Sequence, residues 1–343
     1  MYNKISLKDI AKELNLSKTA VSLVLNNKGD ANNISRPTQE RIYAYAKKKN
    51  YKPNEIARWL SLGKTKTIGL IIPRISDSFY ANIASYIERR AMEMGYTVFF
   101  SSSNEDPKKE ATLIQSMFSR QVEGLIIAST QKNHAEIKYL KDNNLPFVLI
   151  DRHYPDIDTN FVVVNNYSGA NRITKHLLKL ARKRVGFITI KSDLKAMKER
   201  LRGYVEAIEL HTENHNELVK SLDYEKFESQ MDESLSDLIF LKKIDALVFS
   251  THFLVRAGIR SLKRLGIEIP AKVAIASFSE LSEFDLVNPP ITVMRQPVKD
   301  IGNTAVDILF SELNELKDVK TMERTKKQRV LEPEFLIRKS CGS

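Results

Sequence analysis

A chain of 343 residues that is 42% hydrophobic and 28% charged is too long for one small core, so two or more domains are expected. Its one cysteine, Cys341, excludes an internal disulfide framework and a cysteine-based zinc site, and its place in the terminal tail suggests no role. The formal net charge of +12 is unevenly placed: residues 1–66 hold 14 Lys and Arg against 5 Asp and Glu, while residues 67–343 hold 40 against 37. A basic surplus this local suits attraction to a phosphate backbone, with a merely solvated basic face as the competing reading.

The start, Met1 to Ser6, turns polar at once and has no apolar signal region. Apolar runs such as Ile68 to Pro73 are too short to span a bilayer, so a soluble cytoplasmic protein with no membrane partner is expected. Ser6 followed by Asp9 resembles a capping box opening a helix whose Leu7, Ile10, Ala11 and Leu14 share one face. Asn15 to Ser17 is then a turn, and Ser17 caps a second helix. There Val21, Val24 and Leu25 face inward and Lys18, Thr19, Ser22, Leu23 and Asn26 face outward, a helix-turn-helix pattern. A third helix, about Thr38 to Lys49, supplies Ile42, Tyr45 and Ala46, with Asn50 as a left-handed stop. Asn27 to Asn33 reads as a polar loop without packing. After Pro53 a short helix, Asn54 to Leu60, precedes the polar linker Ser61 to Lys66.

From Thr67 short apolar runs alternate with amphipathic helices. Strands are expected at 68–72, 98–101, 125–128, 147–150, 162–164, 185–190, 246–249, 273–276 and 291–294, with helices at about Phe79 to Met94 and from Asp106-Pro107 to Arg120. Val330 to Arg338 reads as one final extended segment. Repeated βα units over this length predict an α/β body of parallel sheets flanked by helices, divided into two lobes. The expected division is 1–52 for an all-α helix-turn-helix headpiece, 53–66 for a hinge helix and linker, and 67–343 for a two-lobed effector-binding and dimerisation domain.

These segments and several later ones resemble the LacI/GalR family of bacterial transcription regulators in register along nearly the whole chain. The carrying stretches are S-L-K-D-I-A-K-E-L-N-L-S-K-T-A-V-S-L-V-L-N, N-Y-K-P-N-E-I-A-R-W-L and K-T-I-G-L-I-I-P-R-I-S-D-S-F-Y. L-I-D-R, K-E-R-L-R-G-Y, P-P-I-T-V-M-R-Q-P and L-E-P-E-F-L-I-R-K-S follow. The resemblance implies a homodimeric repressor with a body like a periplasmic sugar-binding protein, bound to pseudo-palindromic operator DNA and controlled by a small polar, carbohydrate-like effector between its lobes.

On the DNA side the resemblance implies contacts from Ser17, Lys18, Thr19, Ser22, Leu23 and Asn26, and from Asn54, Arg58 and Leu60 in the hinge. Lys18 and Thr19 match positions that reach base edges in the major groove. Leu60 matches a leucine wedged into the minor groove, with interdomain packing as the alternative, and Arg58 neutralises phosphate or caps the hinge. Relatives often carry Arg or His where Leu23 stands and Thr where Ala20 stands, so the operator sequence does not transfer.

In the body, Arg200 matches an arginine that holds a polar effector, with a surface salt bridge as the rival. Phe79 and Tyr80 match an aromatic stacked on the ligand, with core packing as the rival, and Asp151 ends a buried strand where α/β sheets bind ligands or else caps a turn. Where many relatives read N-D this chain has Thr251-His252, and where they read G-F-D-D it has Ser277-Phe278-Ser279-Glu280, so carboxylates that would grip a ligand are lost, and a lone His252 at a helix start is otherwise structural.

A solute-binding protein and an enzyme on the same scaffold are the other classes. Enzyme signals fail one by one. Gly63-Lys64-Thr65 lacks the rest of a P-loop, no G-x-G-x-x-G or G-x-S-x-G occurs, and His211 and His215 are not at zinc-protease spacing. No metal or cofactor is expected. The absence of a leucine-heptad tail favours dimer over tetramer.

Overall fold

The computed structural model describes residues 5–51, 65–209, 215–315 and 325–343. Its contacts divide into two units, Met1–Thr65 and Lys66–Ser343. The hinge residues Asn54, Arg58 and Leu60 lie outside the described residues, as does His211.

In the first unit, α1 (Leu7–Leu14), α2 (Lys18–Leu25) and α3 (Arg36–Lys48) enclose Ile10, Ala11, Val21, Val24, Ile42 and Ala46. The capping box is present in both directions, Asp9 N–H donating to the Ser6 hydroxyl and Ser6 N–H to the Asp9 carboxylate. Asn15 and Asn50 take left-handed φ values of 51° and 49°, ending α1 and the stretch after α3. The third helix starts earlier than expected, because Pro37 in its first turn surrenders an N–H that has no helical partner anyway. Asn27 to Asn33 is more ordered than a polar loop. Gly29 is buried, Asp30–Asn32 forms a 3-10 turn, and the Gln39 amide donates to Asp30 Oδ1 at 2.8 Å and to the Ile34 carbonyl at 2.7 Å. A side chain from α3 thus supplies packing that the loop's own sequence lacks.

The second unit holds two six-stranded sheets. In lobe 1 the strands are β1 (Thr67–Ile72), β2 (Thr97–Ser102), β3 (Gly124–Ile127), β4 (Phe147–Ile150), β5 (Asn160–Val164) and β11 (Gln328–Leu331), ordered β11-β5-β4-β3-β1-β2 and all parallel. Its helices are α4 (Ser78–Glu93), α5 (Pro107–Ser119), α6 (His134–Asp142) and the late α11 (Val298–Glu315). Lobe 2 uses β6 (Val185–Ile190), β7 (Val219–Leu222), β8 (Ala246–Phe249), β9 (Ala274–Phe278), β10 (Thr292–Arg295) and β12 (Glu334–Leu336), ordered β12-β10-β9-β8-β6-β7. Only β10 and β12 pair antiparallel there. Lobe 2 is flanked by α7 (Asn166–Lys179), α8 (Lys195–Ile208), α9 (Phe227–Ser236) and α10 (His252–Arg264).

Parallel strands need crossover helices, and those helices cover both faces of each sheet. Central β1 is therefore buried along its whole length, whereas edge strand β2 buries only Val98. Strand β7 was missed in the sequence because V-K-S-L is a polar edge strand without an apolar run.

The chain passes between lobes after β5, between β10 and α11, and between β11 and β12. The tail expected as one extended segment is instead cut at Glu332-Pro333, with β11 joining one sheet and β12 the other. Cys341 is also corrected. It is fully buried, its thiol donates to the Arg338 carbonyl, and the adjacent Ser340 hydroxyl donates to the Ile275 carbonyl, closing the end of the lobe 2 core.

Candidate functional site

The DNA-facing candidates sit on α2. Ser17 Oγ accepts from Ala20 N–H at 3.0 Å, so its hydroxyl first serves as the helix cap. Lys18 and Thr19 are exposed on the first turn, while Ser22, Leu23 and Asn26 are half-buried. Asn26 differs from a free surface amide, since its Nδ2 donates to the Ser22 carbonyl at 2.8 Å. Tyr43, from α3, donates to the Val24 carbonyl at 2.7 Å and braces the end of the same helix.

In the second unit a cleft of about 850 Å³ lies between the lobes. All seven effector candidates, Phe79, Tyr80, Asp151, Arg200, Thr251, His252 and Ser279, line it. They meet because parallel strands deliver their C-terminal ends to one edge of each sheet, and the two lobes turn those edges toward one another. Residues after β1, β2, β3 and β4 form one wall, and residues after β6, β7, β8, β9 and β10 form the other.

The lobe 1 wall is charged but internally balanced. Arg152 makes a fork to Glu105, with Nη1 to Oε2 at 2.8 Å and Nη2 to Oε1 at 2.7 Å, and its Nε lies 3.3 Å from Asp151 Oδ2. Tyr80 donates to Asp151 Oδ2 at 2.8 Å, and burial, against the opposing charge of Arg152 and with the carboxylates of Asp151 and Glu105, holds its hydroxyl well above the usual phenol range. Burial opposes the charge on Arg152, but Tyr80, Glu105 and Asp151 more than offset it and the guanidinium is held more firmly protonated than usual. Asp151 adopts φ 63°, a left-handed conformation uncommon for a side-chain-bearing residue and one that candidate ligand sites often contain. Behind this wall the buried Glu110 accepts from Ser129 Oγ, Thr130 N–H and Asn133 Nδ2, fixing the loop after β3.

The lobe 2 wall is different. Arg200 is 4% exposed, donates to Asn166 Oδ1 and to the Ser250 carbonyl at 2.7 Å each, and lies 3.9 Å from the Phe278 ring centre. Asn166 Nδ2 donates to the Val164 carbonyl, which turns its oxygen toward Arg200. Burial lowers the Arg200 pKa to about 10, so it stays charged near neutrality. Contacts across the cleft join the walls: Lys195 N–H donates to Gln131 Oε1 at 3.1 Å, His252 Nε2 lies 3.4 Å from Asp77 Oδ1, and Arg74 stacks 4.9 Å from the Tyr224 ring centre. Burial, ahead of the charges around it, lowers the His252 pKa.

Buried side-chain polar atoms without a hydrogen-bond partner mark this cleft. Seven occur among the described residues, and five belong to lining residues: Arg74 Nε, Thr130 Oγ1, Arg152 Nε, Thr251 Oγ1 and Gln296 Oε1. Such atoms cost stability unless a ligand or solvent satisfies them. Glu105, Thr130, Gln131, Arg152 and Gln296 were not singled out from sequence. Arg152 and Gln296 stood inside quoted motifs, whereas Thr130 and Gln131 carried no signal beyond their place after a strand. Among the described residues no group of three or more His, Cys, Asp or Glu is arranged to hold a metal ion, and no helix is long and apolar enough to cross a membrane.

A helix-turn-helix module together with a two-lobed body that encloses a polar cleft defines the class of ligand-responsive DNA-binding regulators. The chain belongs to the LacI family of bacterial regulatory proteins. Residues 6–54 match the family described as bacterial regulatory proteins, lacI family, and residues 65–340 match that of periplasmic binding proteins and sugar binding domain of LacI family. Members of this family are transcription regulators rather than enzymes. One relative, the HTH-type transcriptional repressor PurR of Aliivibrio salmonicida (strain LFI1238), is 26% identical over 338 residues and covers 98% of each chain. Among solved structures, the lac repressor dimer bound to operator and the anti-inducer ONPF matches with a TM-score of 0.79 at 18% identity, covering 99% of this chain and 100% of that one. A complex of the transcriptional regulator CelR with cellobiose matches with a TM-score of 0.71 at 22% identity over 98% and 100%. At these identities the structural matches speak for the fold alone.

Proposed function

We propose that this chain acts as a cytoplasmic homodimeric repressor that binds a pseudo-palindromic operator and is controlled by a small polar effector, a sugar or sugar derivative, held between the lobes. The observation that carries the effector reading is the convergence of all seven candidate residues on one cleft in which four lining residues, Arg74, Thr130, Thr251 and Gln296, keep a buried polar atom with neither a hydrogen-bond partner nor an ion pair. The cellobiose held by CelR, a protein of the same fold, supports a carbohydrate-like ligand here.

Lys18 and Thr19, exposed at the start of α2, read bases, while Ser17 positions that helix. Leu60 enters the minor groove, Arg58 neutralises phosphate or caps the hinge, and Asn54 contacts DNA from the same segment. Edge strand β2 leaves Phe99 and Phe100 43% and 42% exposed, with Met92 at the end of α4 68% exposed. A second copy of this chain is the occupant proposed for that sheet edge, in keeping with the dimer named for the lac repressor. The test is a gel-shift titration of the full chain on DNA upstream of its own coding sequence. Selective binding that weakens with salt is expected, and Lys18→Ala should lower affinity for the selected site more than for unrelated DNA. Equal affinity for every sequence would overturn the regulator's specificity.

A further inference from the structure

Resting on the reading of the interlobe cleft as the effector site, we infer that the effector carries an anionic oxygen group, a carboxylate or a phosphate, on a hydroxylated carbon skeleton. That group faces the lobe 2 wall at Arg200 and Thr251.

The first support is the pairing of charges around the cleft. Of the lining carboxylates, Glu105 and Asp151 share Arg152 and Asp193 pairs with Lys198, while Asp77 lies 3.4 Å from His252, an imidazole whose burial disfavours its charged form. Glu225 is a solvated acid on the rim. The lining cations other than Arg152 make no such pairs. Arg74, Lys132, Lys191 and Arg200 have no carboxylate within 4.0 Å among the described residues. Three of these four have access to water, but Arg200 does not: its polar partners are a neutral amide oxygen and a backbone carbonyl. Asp151, already engaged by Arg152 and Tyr80, acts on it only at longer range. A buried cation held by neutral acceptors alone gains most from an anion placed against it.

The second support is independent of Arg200. Helix α10 spans 13 residues and starts at the cleft, and its N-cap residue Thr251 makes no side-chain cap. Helix N-termini carry partial positive charge and unsatisfied N–H groups, which suit an anion. The Thr251 hydroxyl is itself buried, 7% exposed as a residue, and has no hydrogen-bond partner. It follows directly after Ser250, whose carbonyl receives Arg200 Nη1, so the free hydroxyl, the helix start and the guanidinium converge. Ser279 joins this wall without charge, and nearby Glu280 is turned to Arg338 and Arg295 rather than into the cleft. The wall's own acids, Asp193 and Glu225, are exposed, and Asp193 is paired with Lys198, whereas the buried part at Arg200 and Thr251 offers donors and positive charge.

The test is thermal-shift and calorimetric titration of the full chain with matched sets: D-glucose, D-gluconate and D-glucose 6-phosphate, and D-ribose, D-ribonate and D-ribose 5-phosphate. The expected result is stabilisation by acids or phosphates, weakening as salt is raised, with no shift from the neutral parents. The acid and phosphate arms tell the two sources of negative charge apart. Thr251→Val, which keeps the side-chain shape, should weaken the anion about tenfold, since hydrogen bonds to charged groups are worth about 1.5–3 kcal/mol. Arg200→Lys should retain more anion affinity than Arg200→Gln, because charge survives in one and not the other. Tighter binding of a neutral sugar than of its acid or phosphate overturns the anionic class and leaves the cleft reading standing. Absence of binding by any member of both sets overturns the two together.

Discussion

Ser17 and His153 show how single groups set local stability. Removing the Ser17 hydroxyl leaves the first-turn amide of Ala20 without its partner, and N-cap losses of this kind cost about 1 kcal/mol. Hydrogen exchange on the full chain should therefore show faster exchange of the α2 amides in Ser17→Ala, with α1 less affected. His153 stacks on Phe161 at 4.3 Å between ring centres, and Lys195 Nζ lies 3.5 Å from its Nε2. Burial, and then the Lys195 charge, lower its pKa from 6.5 to about 4. The folded state thus resists protonation that the unfolded chain accepts. The neutral ring's contribution is intact above pH 6.5 and is lost as pH falls from there toward about 4. Melting curves should show the wild type losing more melting temperature over that interval than His153→Gln, and equal losses would remove His153 as the cause.

At the scale of elements, the approach of α7 to α8 depends on Gly203. A Cβ built there would lie 2.3 Å from the Tyr167 carbonyl oxygen and 3.0 Å from the Asn171 backbone nitrogen, both of which are helix backbone and cannot swing aside. Gly203→Ala should cost about 1–3 kcal/mol in urea unfolding, as overpacking does, and should weaken effector binding because Arg200 rides on the same helix. Unchanged stability would mean that the helices separate freely. The βα rhythm from Thr67 onward was legible because buried parallel strands read as continuous apolar runs, as in Ile68 to Ile72. Polar edge strand β7 and the divided tail were not, since pairing partners rather than local apolarity make V-K-S-L and E-F-L into strands. The loop after α2 was misread for a related reason: Gln39, ten residues beyond Gly29, orders it.

For the whole molecule, a second copy over β2 predicts a definite outcome. Sedimentation should give a mass twice that of one chain, and replacing both Phe99 and Phe100 by Lys should shift the protein toward monomer while leaving its far-ultraviolet circular dichroism unchanged. A wild type that stays monomeric at high concentration would overturn the homodimer. The lobes also bear on effector control. Three crossings join them, with Asn165 donating to Glu332 at 2.6 Å between two crossing segments, while Gln131–Lys195 and Asp77–His252 contacts span the cleft. A ligand that binds more tightly to one lobe arrangement than to another shifts the population toward it.

Local chemistry written in the chain was sufficient for the elements, and resemblance to a known family supplied the class of protein. Capping residues, apolar spacing and a basic N-terminal surplus act over a few residues and can be read in order, and they placed the helix-turn-helix and the repeated βα units. The candidate residues that matched family motifs were also legible, and all seven effector candidates line one cleft. The balance of charge in that cleft was decided by tertiary structure. Glu105 and Arg152 are 47 residues apart and Arg200 and Ser250 are 50 apart, so whether a charge is paired or left to neutral acceptors depends on which strand ends the fold brings together. Coulomb and hydrogen-bond energies fall off over a few ångströms in space, and no spacing along the chain records that distance.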